Sequence, residues 1–405
     1  MCKTGSGKLR NTDAGSRVQR SGREENLTEA LDVRERRKDC MHFVEMLSKD
    51  RWKRTERDFS SQFIYLTKSK RCDIIKKLQR RNENFGDVAK RTESGRTSRN
   101  VKNIQADLKL LASARSKGKE IDGHIVEELT KDSFQGVDYV LGATGNDITK
   151  MWMPWAKEAG CIVVDNSSAF RLDKDVPLVI PEVNKEDIKN HHGLIANPNC
   201  ATIIALVALQ ALHKKYHIKR MIVTTFQAVS GAGVQGIEDL KNQIEDENIP
   251  SKAFPYQIAF NLIPQIGDFD DLGISKEEWK MQNEARKMWH DDALKVNCTC
   301  VRVPIWRSHS ESITIECENE VDVNEARELV SKAEGVLLKD DPKNQIYPMP
   351  KDTTNQDLVY VGRIRKDITD ETNHTLSLFC CGDQIRKGAA TNAVQILEEL
   401  LKAND

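Results

Sequence analysis

Three short apolar runs in the middle of the chain each stop at a turn that opens a helical stretch. Val137-Asp-Tyr-Val-Leu141 runs into Gly142-Ala-Thr-Gly145, Cys161-Ile-Val-Val164 into Asp165-Asn166, and Leu194-Ile-Ala196 into Asn197-Pro-Asn-Cys200. Strands that end where helices begin are what an open parallel sheet requires, and such sheets bind ligands at those strand ends. Residues 201–216 read as an almost wholly apolar helix. The fold class expected is therefore α/β, a Rossmann-type parallel sheet. The second half changes texture. Met221–Phe226, Thr299–Val303, Ser312–Glu316 and Leu376–Phe379 are β-branched or alternating strands. Helices are expected near 234–245, 276–290 and 323–333, which makes this half α+β. A last helix over 385–402 carries Ala389, Ala393, Ile396 and Leu400 on one face and is expected to return to the first sheet.

Composition separates the N-terminal stretch from this body. The 405-residue chain has 62 basic and 62 acidic side chains, but its first 107 residues hold 27 Lys and Arg against 16 Asp and Glu. All eleven prolines lie at or after Pro154. Residues 1–107 thus read as a basic, atypical segment, disordered or weakly helical over 26–48 and 71–81, or else a wrong-frame or misjoined product. A basic arm for nucleic acid is a weak alternative, since acids are interspersed and no binding fold is legible. Gly5-Ser-Gly7-Lys8 lacks the Ser/Thr and first Gly of a phosphate loop. No run reaches the length of a membrane span and the start lacks a secretory core. The ten cysteines are scattered, without zinc spacing, so a reduced cytoplasmic protein with no metal site is expected.

Two segments carry chemistry. In Asn197-Pro-Asn-Cys200-Ala-Thr202 a cysteine stands at a helix start. The helix dipole and free N–H groups there lower a thiol pKa and can hold an oxyanion. A buried structural cysteine is the competing reading. In Arg302-Val-Pro-Ile-Trp-Arg307-Ser-His309 the histidine is a candidate proton shuttle and the arginines candidate carboxylate clamps. Arg307 and His309 share a face if the strand extends that far.

With these stretches in place, residues 108–405 resemble the aspartate-semialdehyde dehydrogenase family of bacterial type. The blocks are Leu110–Ser116, Val164–Arg171, Val179–Asn184, the Cys200 motif, Phe226–Gly233, Phe254–Asn261, Arg302–Glu311 and Arg386–Gln395. The resemblance implies a glyceraldehyde-3-phosphate dehydrogenase-like second domain. It places an NADP-binding domain at 108–199 plus 372–405 and a catalytic and dimerisation domain at 200–371. The implied reaction is NADPH-dependent reductive dephosphorylation of L-aspartyl 4-phosphate to aspartate semialdehyde and phosphate through a cysteine thioester. That step serves lysine, threonine, methionine and diaminopimelate biosynthesis. By resemblance Cys200 is the nucleophile, His309 the acid/base and Gln227 the residue orienting the site. Arg302, Arg171, Asn199, Glu277 and Lys280 bind substrate carboxylate and phosphate. Ser113, Arg115 and Ser116 hold the 2′-phosphate of NADP(H), and Gly142, Thr144, Gly145, Ser230, Gly231 and Asn392 line the cofactor. A homodimer is implied, with a tetramer as an alternative.

One departure stands out. The family's first strand, glycine-rich turn and helix should precede Leu110, yet residues 70–107 contain only Gly86 and Gly95. The central strand of the first sheet and the main pyrophosphate cradle are therefore expected to be missing, the alternative being a substitute strand from residues 60–107, for which Phe63-Ile-Tyr-Leu66 is the candidate. This leaves a catalytically impaired product as one alternative. A relative of N-acetyl-glutamyl-phosphate reductase is a lesser one, because that family follows its cysteine with tyrosine and this chain has Ala201.

Overall fold

The computed structural model describes residues 64–69, 106–121 and 123–403. The helices expected over 26–48 and 71–81 lie outside the described residues. The first sheet contains β1 (Ile64–Ser69), β2 (Ala106–Ala112), β3 (Glu120–Ile121), β4 (His124–Glu128), β5 (Tyr139–Gly142), β6 (Ile162–Asp165) and β7 (Leu194–Ala196). Their spatial order is β3-β4-β2-β1-β5-β6-β7. β2 and β4 pair in parallel, as do β5, β6 and β7 in turn. The longer helices are α1 (Asn146–Glu158), α2 (Cys200–Tyr216), α3 (Gly233–Glu245), α4 (Lys276–Trp289), α5 (Val323–Lys332) and α6 (Thr391–Ala403).

Successive side chains of a strand face opposite ways, and here both faces are apolar. Leu111, Val140 and Val163 pack on Trp152, Met153 and Ala156 of α1. Leu110, Leu141 and Val164 pack with Ala393, Ile396, Leu397 and Leu400 of α6. The C-terminal helix thus returns to the first sheet, as expected.

The expectation of a missing central strand needs correction. Ile64–Ser69 fills the place between β2 and β5. It runs antiparallel to both, with Ile64 opposite Leu111 and Gly142 and Ser69 opposite Ala106. Backbone groups of β2 and β5 therefore find ladder partners, which is the physical reason for recruiting a β-prone run such as Ile64-Tyr-Leu66. The direction has a consequence. A parallel strand would end beside Gly142, where the cofactor turn belongs, whereas β1 ends at Ser69 on the opposite edge.

The second sheet holds β8 (Ile218–Ala228), β9 (Lys295–Val303), β10 (His309–Cys317), β11 (Val336–Leu338), β12 (Val359–Lys366) and β13 (Thr375–Gly382), in the order β11-β12-β13-β10-β8-β9. Because β13 belongs here, the crossing back to the first sheet comes after Gly382, later than the boundary expected at 372. Met221, Val223, Ile313, Ile315, Leu376 and Leu378 form one core with α2, whose residues Ala201 to Leu209 are all buried. A helix apolar all round belongs inside a protein. Packed on the second sheet, α2 starts beside the C-terminal edge of the first. No helix among the described residues is long and apolar enough to cross a membrane.

Candidate active site

The site forms where α2 begins. Asn199 is its N-cap, and the Asn199 Oδ1 accepts from the backbone N–H groups of Ala201 (3.0 Å) and Thr202 (3.3 Å). Such a cap satisfies donors that a helix start leaves open. Cys200 is the first residue of the helix and is partly exposed. The expected lowering of its pKa is not found in the ligand-free site. Burial pushes the Cys200 thiol up to about 12, and Glu277 pushes the same way, against the pull of Lys280, Arg171 and Arg302.

Helix α4 presents its charged face to this point. Its capping box, Ser275 with Glu278, fixes where the helix starts and so where Glu277 points. Glu277 Oε1 accepts from Asn199 Nδ2 (2.9 Å) and Gln227 Nε2 (3.3 Å), and Oε2 pairs with Lys280 Nζ (2.9 Å). Burial alone would raise the Glu277 pKa, but Lys280 and the amide donors bring it down to about 2. Glu277 is therefore a fixed negative charge, and Asn199 and Gln227 are tied to it.

The second sheet delivers the remaining groups. Gln227 on β8 and Arg302 on β9 are register partners, and Arg302 Nη1 donates to Ala228 O (2.7 Å). His309, the first residue of β10, is fully buried. Its Nδ1 accepts from the Ala228 N–H (3.1 Å), while Nε2 is buried without a partner. Burial and the nearby Arg302 guanidinium lower its pKa to about 3, against the opposite pull of Glu277. Gly231 lies against both side chains. A Cβ there would stand 2.8 Å from Arg302 Nη1 and 3.2 Å from His309 Cε1, so only glycine leaves this corner open. Arg307 does not share the face of His309. The strand begins after it, Ser308 has φ +73°, and Arg307 pairs with Asp383 (2.8 Å).

Arg171 reaches the site from the first domain. Arg171 Nη1 pairs with Glu284 Oε1 (3.0 Å), Nη2 donates to Asn166 O (2.8 Å), and the buried Nε has no partner.

The cofactor residues divide. Ser113, Arg115 and Ser116 form a turn immediately after β2, at the edge where dinucleotides bind. Gly142 ends β5, and Gly145 caps α1. Gly231 leaves room beside His309, next to Ser230, whose hydroxyl takes a hydrogen bond from Gln384. Ser113, Arg115 and Gly231 are exposed, whereas the Ser116 side chain is fully buried. Two others are engaged within the protein. Thr144 bonds Thr149 and Trp152, and Asn392 bonds Val179, Asn197 and Lys387. Both serve packing rather than an open cofactor surface.

Two residues were missed by the sequence reading. Gly388, in the turn Arg386–Ala390, backs the nucleophile so closely that a Cβ would lie 3.0 Å from Cys200 Cβ. Nothing in the sequence signals that approach. Glu284, seven residues and so about two turns beyond Glu277, follows the same face of α4. That spacing was available as a signal.

Comparison with known proteins matches residues 100–191 to the semialdehyde dehydrogenase NAD-binding domain and residues 209–387 to the semialdehyde dehydrogenase dimerisation domain. The aspartate-semialdehyde dehydrogenase of Aquifex aeolicus is 49% identical over 76% of this chain and 95% of its own length. That of Bacillus subtilis is 44% identical over 75% of this chain and 92% of its own length. Among solved structures, Vibrio cholerae aspartate semialdehyde dehydrogenase II complexed with ASA has a TM-score of 0.68 at 40% identity, covering 72% of this chain and 89% of that one.

Proposed function

Because this chain belongs to the aspartate-semialdehyde dehydrogenase family, whose members are NADP-dependent aldehyde dehydrogenases, we propose that Cys200 is the nucleophile that receives the aspartyl group of L-aspartyl 4-phosphate. The observation that carries the reading is the gathering of Lys280, Arg171 and Arg302 around the Cys200 thiol at the start of a helix. A dianionic acyl phosphate needs that many cationic donors. Its arrival excludes water and sets the acyl carbon beside the Sγ, with a basic phosphate oxygen close to the thiol proton. As the Sγ adds to the acyl carbon its proton passes to a phosphate oxygen of the substrate, and the C–O bond breaks to release hydrogen phosphate.

Arg302 clamps the substrate carboxylate, and Arg171 with Lys280 receives the phosphate. Glu277 fixes Gln227 and Asn199. With the Ala228 N–H directed at Nδ1, a neutral His309 carries its proton on Nε2, the nitrogen without a partner. From there it donates to the acyl oxygen as charge develops. To exchange a proton it takes up one at Nδ1 and releases Ala228. The turn of Ser113, Arg115 and Ser116 would hold NADP(H), and the bound cofactor would supply the hydride that reduces the acyl group. A homodimer through the second sheet and a cytoplasmic location complete the proposal. An N-acetyl-glutamyl-phosphate reductase role is set aside, since the relatives at 42–49% identity carry the aspartate-semialdehyde name.

The test is Cys200→Ser, assayed with aspartate semialdehyde, phosphate and NADP. The expected result is loss of turnover with an unchanged melting temperature, because a hydroxyl is far less ionised than a thiol. Turnover within tenfold of the parent contradicts the assignment.

A further inference from the structure

Glu284 has no part in the reading above, yet it is among the most buried carboxylates of the chain, at 1% exposure. Each of its oxygens has a separate task. Oε1 pairs with Arg171 Nη1 at 3.0 Å. Oε2 accepts the backbone N–H of Asn199 at 2.6 Å. Asn199 immediately precedes Cys200, and Arg171 is one of the cations pulling on its thiol. One carboxylate therefore touches both the phosphate-side arginine and the start of the nucleophile's helix. Glu277 holds the same Asn199 by its side chain from about two turns earlier on α4.

We propose that Glu284 is a positioning residue that couples Arg171 to Cys200, holding the arginine's charge in check and anchoring the backbone next to the thiol. The inference deepens the proposed function and rests on its assignment of Arg171 to phosphate and Cys200 to nucleophilic attack. Without a ligand, Glu284 opposes the charge of Arg171, so the thiol feels less of it than an unpaired guanidinium would exert. An oxyanion that engages Arg171 through its unpartnered Nε does so without removing the tether, because the tether uses Nη1. A carboxamide cannot replace the carboxylate here. Gln offers one acceptor oxygen where Glu284 uses two, and it carries no charge to match the guanidinium.

The test is the rate at which iodoacetamide labels Cys200 in the full, ligand-free chain at pH 8, with the labelled residue identified by mass spectrometry. A lower thiol pKa raises the thiolate fraction, tenfold per unit. Glu284→Gln is expected to raise the rate roughly threefold to tenfold. Arg171→Gln is expected to lower it. In the double variant the gain from Glu284→Gln should vanish, since its agent is gone. An unchanged rate in Glu284→Gln, or an equal gain with and without Arg171, overturns the proposal. A purely structural role would lower the melting temperature and leave the rate untouched. If Glu284→Gln fails to fold, Arg171→Gln alone decides, and a rate equal to the parent's overturns the coupling. Labelling needs no substrate, so this result is separate from failure of the catalytic assignment, which Cys200→Ser turnover reports.

Discussion

At the scale of single residues, the site is a set of buried charges that hold one another in place. Glu277 is ionised and fixed, His309 is neutral, and the Cys200 thiol is held protonated by burial in the ligand-free site. Two substitutions separate the roles. Asn in place of His309 keeps a hydrogen-bond donor but cannot exchange a proton, so His309→Asn should lower kcat by about 10²–10⁴ with little change in KM. Arg302→Leu should act chiefly on KM, because it removes a carboxylate clamp. Steady-state kinetics on both variants checks this, and equal effects on both constants in both variants refute the division. The histidine also has a stability signature. Its folded pKa, about 3, lies below the unfolded value near 6.5, so the folded state loses stability as pH falls from about 6.5 toward 3. His309→Asn should shallow that loss in urea titrations. Cys200, His309 and Arg302 were picked out by short stretches with their own chemistry, whereas Gln227, Glu277 and Lys280 came only from the family resemblance; the structure brings the six side chains to one place. The direction of the Cys200 shift was not legible in the sequence, since the helix start argues for lowering and only packing reveals the burial and Glu277 that oppose it.

At the scale of elements, the nucleophile is positioned by three segments that meet at the start of α2: the cap at Asn199, the charged face of α4 and the turn Arg386–Ala390. The turn matters because its backbone lies directly behind the thiol. Gly388→Ala would add a methyl 3.0 Å from Cys200 Cβ, closer than ordinary packing allows. The helix is buried among apolar residues and yields little. A displacement of about 1 Å near a reacting group costs on the order of 10² in rate, so the smaller shift needed here should lower kcat by roughly tenfold while the melting temperature changes little. Activity within twofold of the parent would show that the turn gives way instead. Most elements were legible from periodicity, including α2, the strands of the second sheet and the returning C-terminal helix. The turn was not, because its partner lies almost two hundred residues earlier in the chain and close approach leaves no local pattern. Arg307 failed for a related reason. The strand starts only at His309, after a left-handed Ser308 that no periodicity announces.

At the scale of the whole molecule, the catalytic half is assembled and the cofactor half is built around a reversed strand. β1 restores the ladder between β2 and β5, so the first sheet is continuous. Its direction carries the chain away from the edge where a dinucleotide's pyrophosphate would meet backbone N–H donors. Hydrogen bonds to a charged group are worth about 1.5–3 kcal/mol each. Lacking two or three of them, NADPH should bind weaker than to a relative with the glycine turn by roughly 3–9 kcal/mol, on the order of 10²–10⁶ in affinity. Calorimetric titration of NADPH into the full chain measures this, and a low-micromolar dissociation constant means that another segment supplies the donors. The sequence pointed to Phe63–Leu66 as a candidate strand but not to its orientation, which depends on how the flanking segments enter the sheet. Acylation of Cys200 needs no cofactor, and it is the event on which the functional account depends. The most direct test is therefore to expose the protein to enzymatically generated L-aspartyl 4-phosphate without NADPH, quench in acid and map the adduct by mass spectrometry. The account predicts one aspartyl group on the peptide carrying Cys200, released by hydroxylamine and absent in Cys200→Ser. An unmodified Cys200, or an adduct that persists in the serine variant, would contradict it.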